Sequence, residues 1–593
     1  MVDFSLPPSS DDRRSGDRLK HLQKAVFAEA LPLVLGGELP GVVCGYETWG
    51  TLNAEASNAV LVCHAISGDS HAARHDDASG GDDPGWWDEL IGPGADYAID
   101  TERFFVVCSN VLGGCRGTTG PGTINASTDQ PYGADFPPIT IADMVAVQTR
   151  LADHLGVATW RAVVGGSLGG HQALTWATLH PERVQTCIAI ATSPRLTSQA
   201  LAFDVIARNA IQTDPHFHGG QYYGQPTQPD TGLAIARMLG HITYLSSEAM
   251  DAKFDPDRLR PRDITTEFEK RFSVGSYLAH QGEKFTQRFD ANSYVTISMA
   301  MDLFDLGRTR EQLIETLRGA SCDFLVTSFS SDWLFTPKQS REIVNALTAL
   351  DRPVTYAEIT SDAGHDAFLL PDEIDKYGPL IAAKLGQTND DPPQLRSDDE
   401  LVLDLIPAGA SVCDLGCGSG RLLAALRDRG HAHLVGVEVA QDKIIAAAAR
   451  GLDIIDYDLN HGLPAFTDDQ FDVVTLSATL QAVENVETLF DEMLRVGRRV
   501  IVSFPNFAYR QLREDYVERG RSPKAPGEFA YEWYNTPNRR FPSIADVEDL
   551  CRDKGAIIHD AVYLDSQTNQ RIPSPPDGEP NQDADTAVLV ISR

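Results

Sequence analysis

The sequence predicts an α/β protein made of two successive domains, each with a mainly parallel sheet. Three observations predict it. Short apolar runs alternate with amphipathic segments in two separate parts of the chain. The first part contains a G-x-S-x-G turn at residues 165–169, and the second contains a glycine loop at residues 411–420, each directly after a strand pattern. Residues 387–397 between them are polar, acidic and proline-bearing, which is typical of a linker.

The composition limits the class of protein. The chain has 593 residues, enough for several domains, and its formal net charge is −34. This acidic balance argues against nucleic acid and anionic membrane as partners. The nine cysteines include no C-x-x-C pair, residues 1–24 are typical of a disordered polar arm without a signal peptide, and no apolar run reaches the ~18 residues of a membrane span. We therefore expect a cytoplasmic protein with reduced thiols, and we expect no bound metal.

The N-terminal elements follow one another in α/β order. Residues 41–50 alternate as a strand, and the apolar run 58–63 is typical of a central parallel strand. A further buried strand at 104–108 opens into the glycine-rich segment 110–122, which could line a cleft or admit a phosphate to its amides. Residues 141–155 form an amphipathic helix pattern that precedes the G-x-S-x-G turn.

The turn itself has the form of a nucleophile elbow. An apolar strand at residues 162–164 ends at Ser167, and a helix pattern follows from residue 171 to 179. The flanking glycines let the chain pass close to a serine held at a strained backbone angle. The pentapeptide also arises by chance in a chain with 48 glycines, so a turn serine without a catalytic role is the alternative.

The downstream sequence favours catalysis. Asp332 follows the strand pattern 322–330, and His365 follows the strand pattern 354–359. The order Ser, Asp, His and the position of both residues just beyond strand ends fit a catalytic triad of Ser167, Asp332 and His365. The amides of Ile66 and Leu168 are the candidate oxyanion hole. Residues 195–318 break the strand–helix alternation with several helices, which predicts a lid.

Seven stretches carry a family resemblance. They are His64-Ala-Ile-Ser-Gly-Asp69, Pro84-Gly-Trp-Trp-Asp88, Ser109-Asn-Val-Leu-Gly-Gly-Cys115, Pro131-Tyr-Gly-Ala-Asp-Phe136, the elbow, Gly240-His-Ile-Thr-Tyr244 and Gly364-His-Asp-Ala-Phe368. Together they resemble the homoserine O-acyltransferases of the MetX type. The resemblance implies an α/β-hydrolase fold over residues 25–386, acyl transfer from acyl-CoA to L-homoserine through an acyl-serine, and a homodimer.

The resemblance also implies substrate-binding residues. Arg237 matches the residue that holds the homoserine carboxylate, Tyr244 a supporting contact, and Asp366 the acid that holds the amine. Taken alone, Arg237 would be expected to be a solvated helix residue. Succinyl-using relatives are associated with a basic residue just after the triad acid, where this chain has Leu334, so we expect acetyl-CoA rather than succinyl-CoA. A plain ester or thioester hydrolase remains the alternative that the elbow alone permits.

The second domain, residues 398–593, resembles two families. The spacing Asp414-x-Gly416-x-Gly418-x-Gly420 resembles the first motif of class I S-adenosylmethionine-binding domains, with Glu438 placed for a ribose. Asp456 or Asp458 is a candidate for the adenine side. Four further stretches, at residues 480–483, 495–499, 503–507 and 532–538, resemble MetW, a methionine-biosynthesis protein related to methyltransferases. We expect a Rossmann-like domain that binds S-adenosylmethionine or S-adenosylhomocysteine and supports or regulates the first domain, with an independent methyltransferase as the alternative.

Overall fold

The structure is a computed structural model. It describes residues 19–75, 84–256, 258–259, 269, 272–388, 394–522, 524, 531–566, 568, 570–572 and 582–593. The chain divides into two compact units between Leu385 and Gly386, and residues 354–357 group with the second unit. Residues 1–18 of the predicted arm lie outside the described residues, whereas Gln23 and Lys24 already belong to the first strand. Residues 389–393 of the predicted linker also lie outside them, and residue 397 begins a helix.

The first unit is built on one mixed sheet. In spatial order its strands are Gln23–Phe27, Val42–Trp49, Phe105–Ser109, Ala59–Cys63, Ala162–Gly166, Thr186–Ile190, Asp323–Phe329 and Val354–Ile359, and the last of these starts with the four residues that group with the second unit. Val42–Trp49 runs antiparallel to both of its neighbours, and the strands from Phe105–Ser109 to Asp323–Phe329 pair in parallel. The central strands are completely buried, as their continuous apolar sequences predict.

Helices cover the sheet. Among the described residues, the α-helices of the first unit are Ile141–Leu155, Leu168–Leu179, Ser198–Gln212, Asp230–Tyr244, Ser247–Phe254, Ser273–Thr286, Ala291–Asp302, Arg310–Leu317, Pro337–Ala349 and Pro371–Lys384. The unit also has short two-stranded pairs at Leu31–Pro32 with Glu38–Leu39, Ile91–Gly92 with Ile99–Asp100, and Ile124–Asn125 with Gln130–Pro131. The helix Ile141–Leu155 has the predicted bounds because Thr140 caps its N-terminus in a capping box with Asp143 and Gly156 ends it at a φ of 74°.

The lid is shorter than predicted. Its two ends meet where the Leu306 amide donates to the Pro194 carbonyl at 2.9 Å, next to a bridge between Arg195 and Asp305. The last helix of the predicted segment, Arg310–Leu317, instead packs against Pro337–Ala349 of the sheet-covering layer. Its apolar residues Leu313 and Leu317 are buried, and the helix belongs to the body of the unit by its packing.

The second unit has its own sheet. The strands in spatial order are Asp453–Asp456, Leu434–Glu438, Val412–Leu415, Phe471–Ser477, Gly497–Pro505, Thr586–Ser592, Ile557–Asp565 and Gln570–Ile572. The first five pair in parallel and the last three in antiparallel fashion. The α-helices are Ser397–Leu405, Arg421–Asp428, Gln441–Ala448, Val486–Val496, Arg510–Arg519 and Ile544–Asp553. By chain order the parallel strands run 3-2-1-4-5, so the glycine loop after strand Val412–Leu415 lies at the point where the strand order reverses.

All nine cysteines are free thiols. In the described parts of the chain, no helix combines the length and the apolar character that crossing a membrane requires.

Candidate active site

Ser167 occupies a strained turn between strand Ala162–Gly166 and helix Leu168–Leu179. Its φ of 58° and ψ of −123° lie in a region that residues with a Cβ rarely adopt. The chain around it is packed backbone to backbone: a Cβ on Gly165 would lie 2.3 Å from Gly169, and a Cβ on Gly169 would lie 2.1 Å from the Cys63 carbonyl oxygen. The glycines of the elbow are therefore required by close approach, as the sequence predicts.

The structure brings the three predicted catalytic side chains together. The distance from His365 Nε2 to Ser167 Oγ is 2.9 Å, and that from His365 Nδ1 to Asp332 Oδ2 is 2.7 Å. All three residues are buried. The other oxygen of Asp332 accepts hydrogen bonds from the amides of Leu334 and Phe335, at 3.0 and 2.9 Å. These two amides fix the orientation of the carboxylate and leave Oδ2 for the imidazole.

The environment of His365 sets its proton affinity. Burial alone would lower the pKa of His365, but the charge and hydrogen bond of Asp332, together with the charge of Asp366, raise it above its usual value. The imidazole is therefore a stronger base than a histidine in water. Since it faces the Ser167 hydroxyl, it can accept that proton in a nucleophilic attack.

The loop that carries Ile66 is held from behind. The Val111 amide donates to His64 Nε2 at 3.1 Å, which places the proton of that imidazole on Nδ1, where it donates to the Ala65 carbonyl. Ile66 lines the same cavity as Ser167, and its amide donates to no acceptor among the described residues. Leu168 is the first residue of the helix that follows Ser167, so both predicted oxyanion residues flank the serine.

A mostly apolar cavity lies beside Ser167. Its lining residues are Ile66, Ser167, Leu196, Ala200, Phe203, Asp204, Ala207, Leu239, Gly240, Thr243, Tyr244, Tyr294, Met301, Leu334 and Phe335. None of these described residues is cationic. Asp204 is the one carboxyl group in the set, and its Oδ2 atom is buried without a hydrogen-bond partner in the described structure. Burial raises the pKa of Asp204, and the nearby charge of Asp302 raises it further.

The three predicted substrate-binding residues gather next to His365. The guanidinium carbon of Arg237 lies 5.7 Å from the centre of the Tyr244 ring, and that ring lies 5.9 Å from the His365 ring. Arg237 also donates to Ser67 Oγ at 3.3 Å. Burial raises the pKa of Asp366, whereas the charges of His365 and Arg237 lower it. One cation and one acid therefore stand beside the base, the arrangement that a zwitterion requires.

Sequence reasoning missed a buried cluster behind the Ile66 loop. Glu47 Oε2 lies 2.9 Å from both His71 Nδ1 and His75 Nε2, and Glu47 Oε1 accepts from Ser70 Oγ at 3.0 Å. Burial alone would raise the pKa of Glu47, but the hydrogen bonds from both histidines outweigh it and bring the pKa to about 2. The cluster fastens the end of the loop to strand Val42–Trp49. No local sequence motif predicts this cluster, because Glu47 and His71 are 24 positions apart.

The glycine-rich segment 110–122 is compact. The Thr118 and Thr119 hydroxyls accept from the amides of Gly45 and Val43, both at 2.9 Å, which ties the segment to strand Val42–Trp49. A Cβ on Gly120 would lie 2.2 Å from the Gly114 carbonyl oxygen. Tight self-packing therefore explains its glycines, and a phosphate cradle is not needed to account for them.

The predicted ligand loop of the second unit is closed by Glu438. The Glu438 carboxylate accepts hydrogen bonds from the amides of Gly418, Val439 and Ala440, at 2.8, 2.8 and 3.0 Å. Gly416 and Gly420 pack against Thr479 and Leu452, whereas Gly418 has a φ of 56° and faces open space.

The three predicted acids of this unit differ in environment. Burial raises the pKa of Asp414 to about 7, while its carboxylate accepts from Thr475 Oγ1 at 2.7 Å. Asp458 caps the short helix Leu459–His461, and Asp456 ends the strand Asp453–Asp456.

The sheet, the elbow and the Ser–His–Asp arrangement define the first unit as a protein of the α/β-hydrolase class. The family model for the alpha/beta hydrolase fold matches residues 58–372, and the model for methionine biosynthesis protein MetW matches residues 396–591. A bifunctional methionine biosynthesis protein MetXA/MetW of Rhodopirellula baltica is 64% identical over 600 residues, which cover 99% of this chain and 95% of that protein. The chain belongs to this family of bifunctional MetXA/MetW proteins.

Other similar proteins match the first unit. A homoserine O-succinyltransferase of Acidithiobacillus ferrooxidans is 49% identical over 369 residues, 62% of this chain and 94% of that protein. The solved structure of a homoserine O-acetyltransferase from Bacillus anthracis superposes with a TM-score of 0.56 at 29% identity and covers 62% of this chain and 98% of that one. Esterase E22 gives the same TM-score at 28% identity, over 61% of this chain and 100% of its own.

Proposed function

We propose that the first unit transfers an acetyl group from acetyl-CoA to the hydroxyl of L-homoserine, giving O-acetyl-L-homoserine and CoA in methionine biosynthesis. The observation that carries the proposal is the hydrogen-bonded chain of Ser167, His365 and Asp332 with Arg237 and Asp366 beside it. The names of the relatives, homoserine O-succinyltransferase and homoserine O-acetyltransferase, support the acceptor.

The first half-reaction forms an acyl-enzyme. His365 takes the proton of Ser167 as the serine oxygen attacks the thioester carbon, and the imidazolium is stabilised by Asp332 at 2.7 Å. The amides of Ile66 and Leu168 donate to the oxyanion of the tetrahedral intermediate. The intermediate then expels the CoA thiolate, which leaves with the proton from His365 and completes the acyl-Ser167.

The second half-reaction uses the same base. The homoserine hydroxyl gives its proton to His365 Nε2 and attacks the acyl carbon, and Ser167 regains its proton as the ester leaves. Arg237 would hold the carboxylate, Asp366 the ammonium, and Tyr244 packs against the guanidinium of Arg237. These two ionic contacts favour attack by homoserine over attack by water, because holding a reactant in place lowers the entropic part of the activation barrier.

The cavity beside Ser167 supports acetyl over succinyl. A succinyl group adds a carboxylate, whose burial costs free energy unless a cation or hydrogen-bond donors compensate it. The described lining offers Leu334 and Asp204 but no cation. The neighbouring Arg208 is already engaged by Asp302 at 2.5 Å. O-Succinyl transfer to homoserine, or to serine, is the alternative, and the names of relatives such as the Acidithiobacillus enzyme favour it.

Initial rates of CoA release test the acceptor and the donor together. With acetyl-CoA, we expect release to depend on homoserine, and Ser167→Ala to abolish it while the exposed control Ser127→Ala does not. Release that ignores homoserine would instead identify a hydrolase, the reaction of the esterase relatives. We expect Leu334→Arg to raise the ratio of kcat/KM for succinyl-CoA over acetyl-CoA by about tenfold, with Leu334→Met as the control. A wild-type preference for succinyl-CoA would overturn the acetyl assignment and leave acyl transfer intact.

We also propose that the second unit is a class I methyltransferase-type domain that binds S-adenosylmethionine or S-adenosylhomocysteine and supports or regulates the first. The strand order and the open position at Gly418 support this. Calorimetry on the full chain should show binding that Gly418→Val removes. Gly409→Val is the matched control, because Gly409 has a φ of 75° and also faces open space. Methyl transfer by this unit is the alternative, and the cytoplasmic location and the homodimer stay predictions.

A further inference from the structure

Two arginines of the lid lie close to one another. Arg237 lies on helix Asp230–Tyr244, and Arg288 follows helix Ser273–Thr286. Their guanidinium carbons lie 4.9 Å and 5.5 Å from the centre of the same ring, that of Phe285, so the two charges are at most about 10 Å apart. Phe285 is only 2% exposed. Neither arginine forms an ion pair with an acid of the described residues.

The surroundings of Arg288 make this arrangement costly without a ligand. Burial lowers the pKa of Arg288, the charge of Asp69 opposes that effect, and the charges of Arg237 and Arg116 lower the pKa further. One acid, Asp69, therefore stands beside three arginines, so the cluster keeps an excess of positive charge that an anion would stabilise. In a chain with a formal net charge of −34, three neighbouring arginines are a local departure from the overall charge.

Arg237 and Arg288 have different neighbours. Arg237 contacts Tyr244 and Ser67, next to the catalytic histidine. The charged neighbours of Arg288 are Asp69 and Arg116, which lie on the loops after strands Ala59–Cys63 and Phe105–Ser109. The cluster therefore offers a second anion position beside the one that Arg237 provides.

We propose that Arg288, with Arg116 beside it, is a binding site for an anionic oxygen group of a substrate, adjacent to Arg237. The inference rests on the proposed function, in which acyl-CoA carries phosphates and the acceptor carries a carboxylate. Both groups suit the planar fork of donors on a guanidinium. Since Arg237 is assigned to the acceptor carboxylate, Arg288 is assigned to the phosphates of the donor.

Steady-state kinetics of Arg288→Gln on the full chain test the site and distinguish the two sources. We expect KM for acetyl-CoA to rise about tenfold or more, while KM for acetyl-pantetheine, which lacks the nucleotide phosphates, and KM for homoserine stay unchanged. A rise in KM for homoserine alone would keep the anion site and assign it to the carboxylate. Unchanged constants for all three would overturn the proposal. Arg318→Gln is the control, since Arg318 is exposed and pairs with Glu315.

A binding measurement keeps this test separate from the proposed function. Calorimetry with CoA itself needs no turnover, and we expect weaker CoA binding by Arg288→Gln and a smaller loss of affinity with added salt than in the wild type. Equal affinity of both proteins for CoA, together with an unchanged KM for homoserine, would reject the site. Arg288→Lys keeps the positive charge but loses the planar set of guanidinium donors, so its affinity for CoA should lie between those of the wild type and Arg288→Gln. This variant replaces Arg288→Gln in the test if the glutamine variant does not fold.

Discussion

Asp332→Asn is expected to leave the fold intact and remove most of the activity. Asp332 Oδ1 accepts from the amides of Leu334 and Phe335, so an asparagine must keep its oxygen there, because both amides need an acceptor. Its NH₂ group then faces His365 Nδ1, at the place of a 2.7 Å hydrogen bond to a carboxylate oxygen. The imidazole can meet that donor only with Nδ1 unprotonated, which moves its proton to Nε2.

The consequence is a wrong tautomer of the base. With a proton on Nε2, His365 cannot accept the proton of Ser167 across the 2.9 Å contact. In serine hydrolases this defect costs about 10³–10⁴ in kcat, which corresponds to about 4–5.5 kcal/mol of transition-state stabilisation. Initial rates of CoA release with homoserine measure it, with exposed Asp372→Asn as the control. A folded Asp332→Asn variant with activity within about tenfold of the wild type would refute this account of the triad.

Three further outcomes follow from the same site. The kcat/KM of the wild type should rise with pH through a group with a pKa above the 6.5 of an ordinary histidine, and Asp366→Asn should shift that limb to lower pH, because the charge of Asp366 helps to raise the pKa of His365. Asp366→Asn should also raise KM for homoserine more than tenfold, because it removes the charge that holds the amine. Tyr244→Phe keeps the ring next to Arg237 and should change this KM less than threefold. Equal effects of the two substitutions on KM would contradict the assigned amine contact. Glu47→Gln should lower the free energy of unfolding of the first unit by about 2–3 kcal/mol at pH 7 in calorimetry, since charge-assisted hydrogen bonds are lost. Because the pKa of Glu47 is lowered from 4.5 to about 2, the stabilisation is present above pH 4.5 and is lost as the pH falls towards 2, so the difference between the two proteins should narrow over that range.

The parts of the molecule that sequence predicts well are local in the chain. The elbow is a strand, a turn and a helix in one continuous stretch, and the glycine spacing reflects contacts within it, such as Gly165 against Gly169. The helix Ile141–Leu155 and the strand Val354–Ile359 have their predicted bounds, since caps and turns flank them in the sequence. The predicted end of the lid is wrong because the sequence of helix Arg310–Leu317 resembles those of the lid helices before it, and only its packing on Pro337–Ala349 distinguishes it.

The residues that sequence reasoning missed depend on contacts between distant elements. Glu47 on strand Val42–Trp49 meets His71 on a loop 24 positions later, and Asp204 lines the cavity from helix Ser198–Gln212. In the sequence, Arg288 is a charged residue after a helix with no motif around it. The structure shows that it and Arg237 contact the same ring, that of Phe285. The apolar pattern of one helix does not predict which neighbouring element its side chains contact, because those contacts depend on how separate helices pack.

The residues contributed by the lid explain how one fold can carry both esterases and acyltransferases. Esterase E22 shares the fold at a TM-score of 0.56, and the elbow alone permits either reaction. What would favour homoserine over water here comes from the lid, which contributes Arg237, Tyr244 and Asp204, and from Asp366 next to the base. Either water or an alcohol can attack an acyl-enzyme. Transfer therefore exceeds hydrolysis only if the lid binds the alcohol near the acyl carbon and limits the access of water to it. We therefore expect the ratio of transfer to hydrolysis to respond to substitutions at Arg237 and Asp366 far more than acyl-enzyme formation does. Equal losses in both would place those residues in the first half-reaction instead.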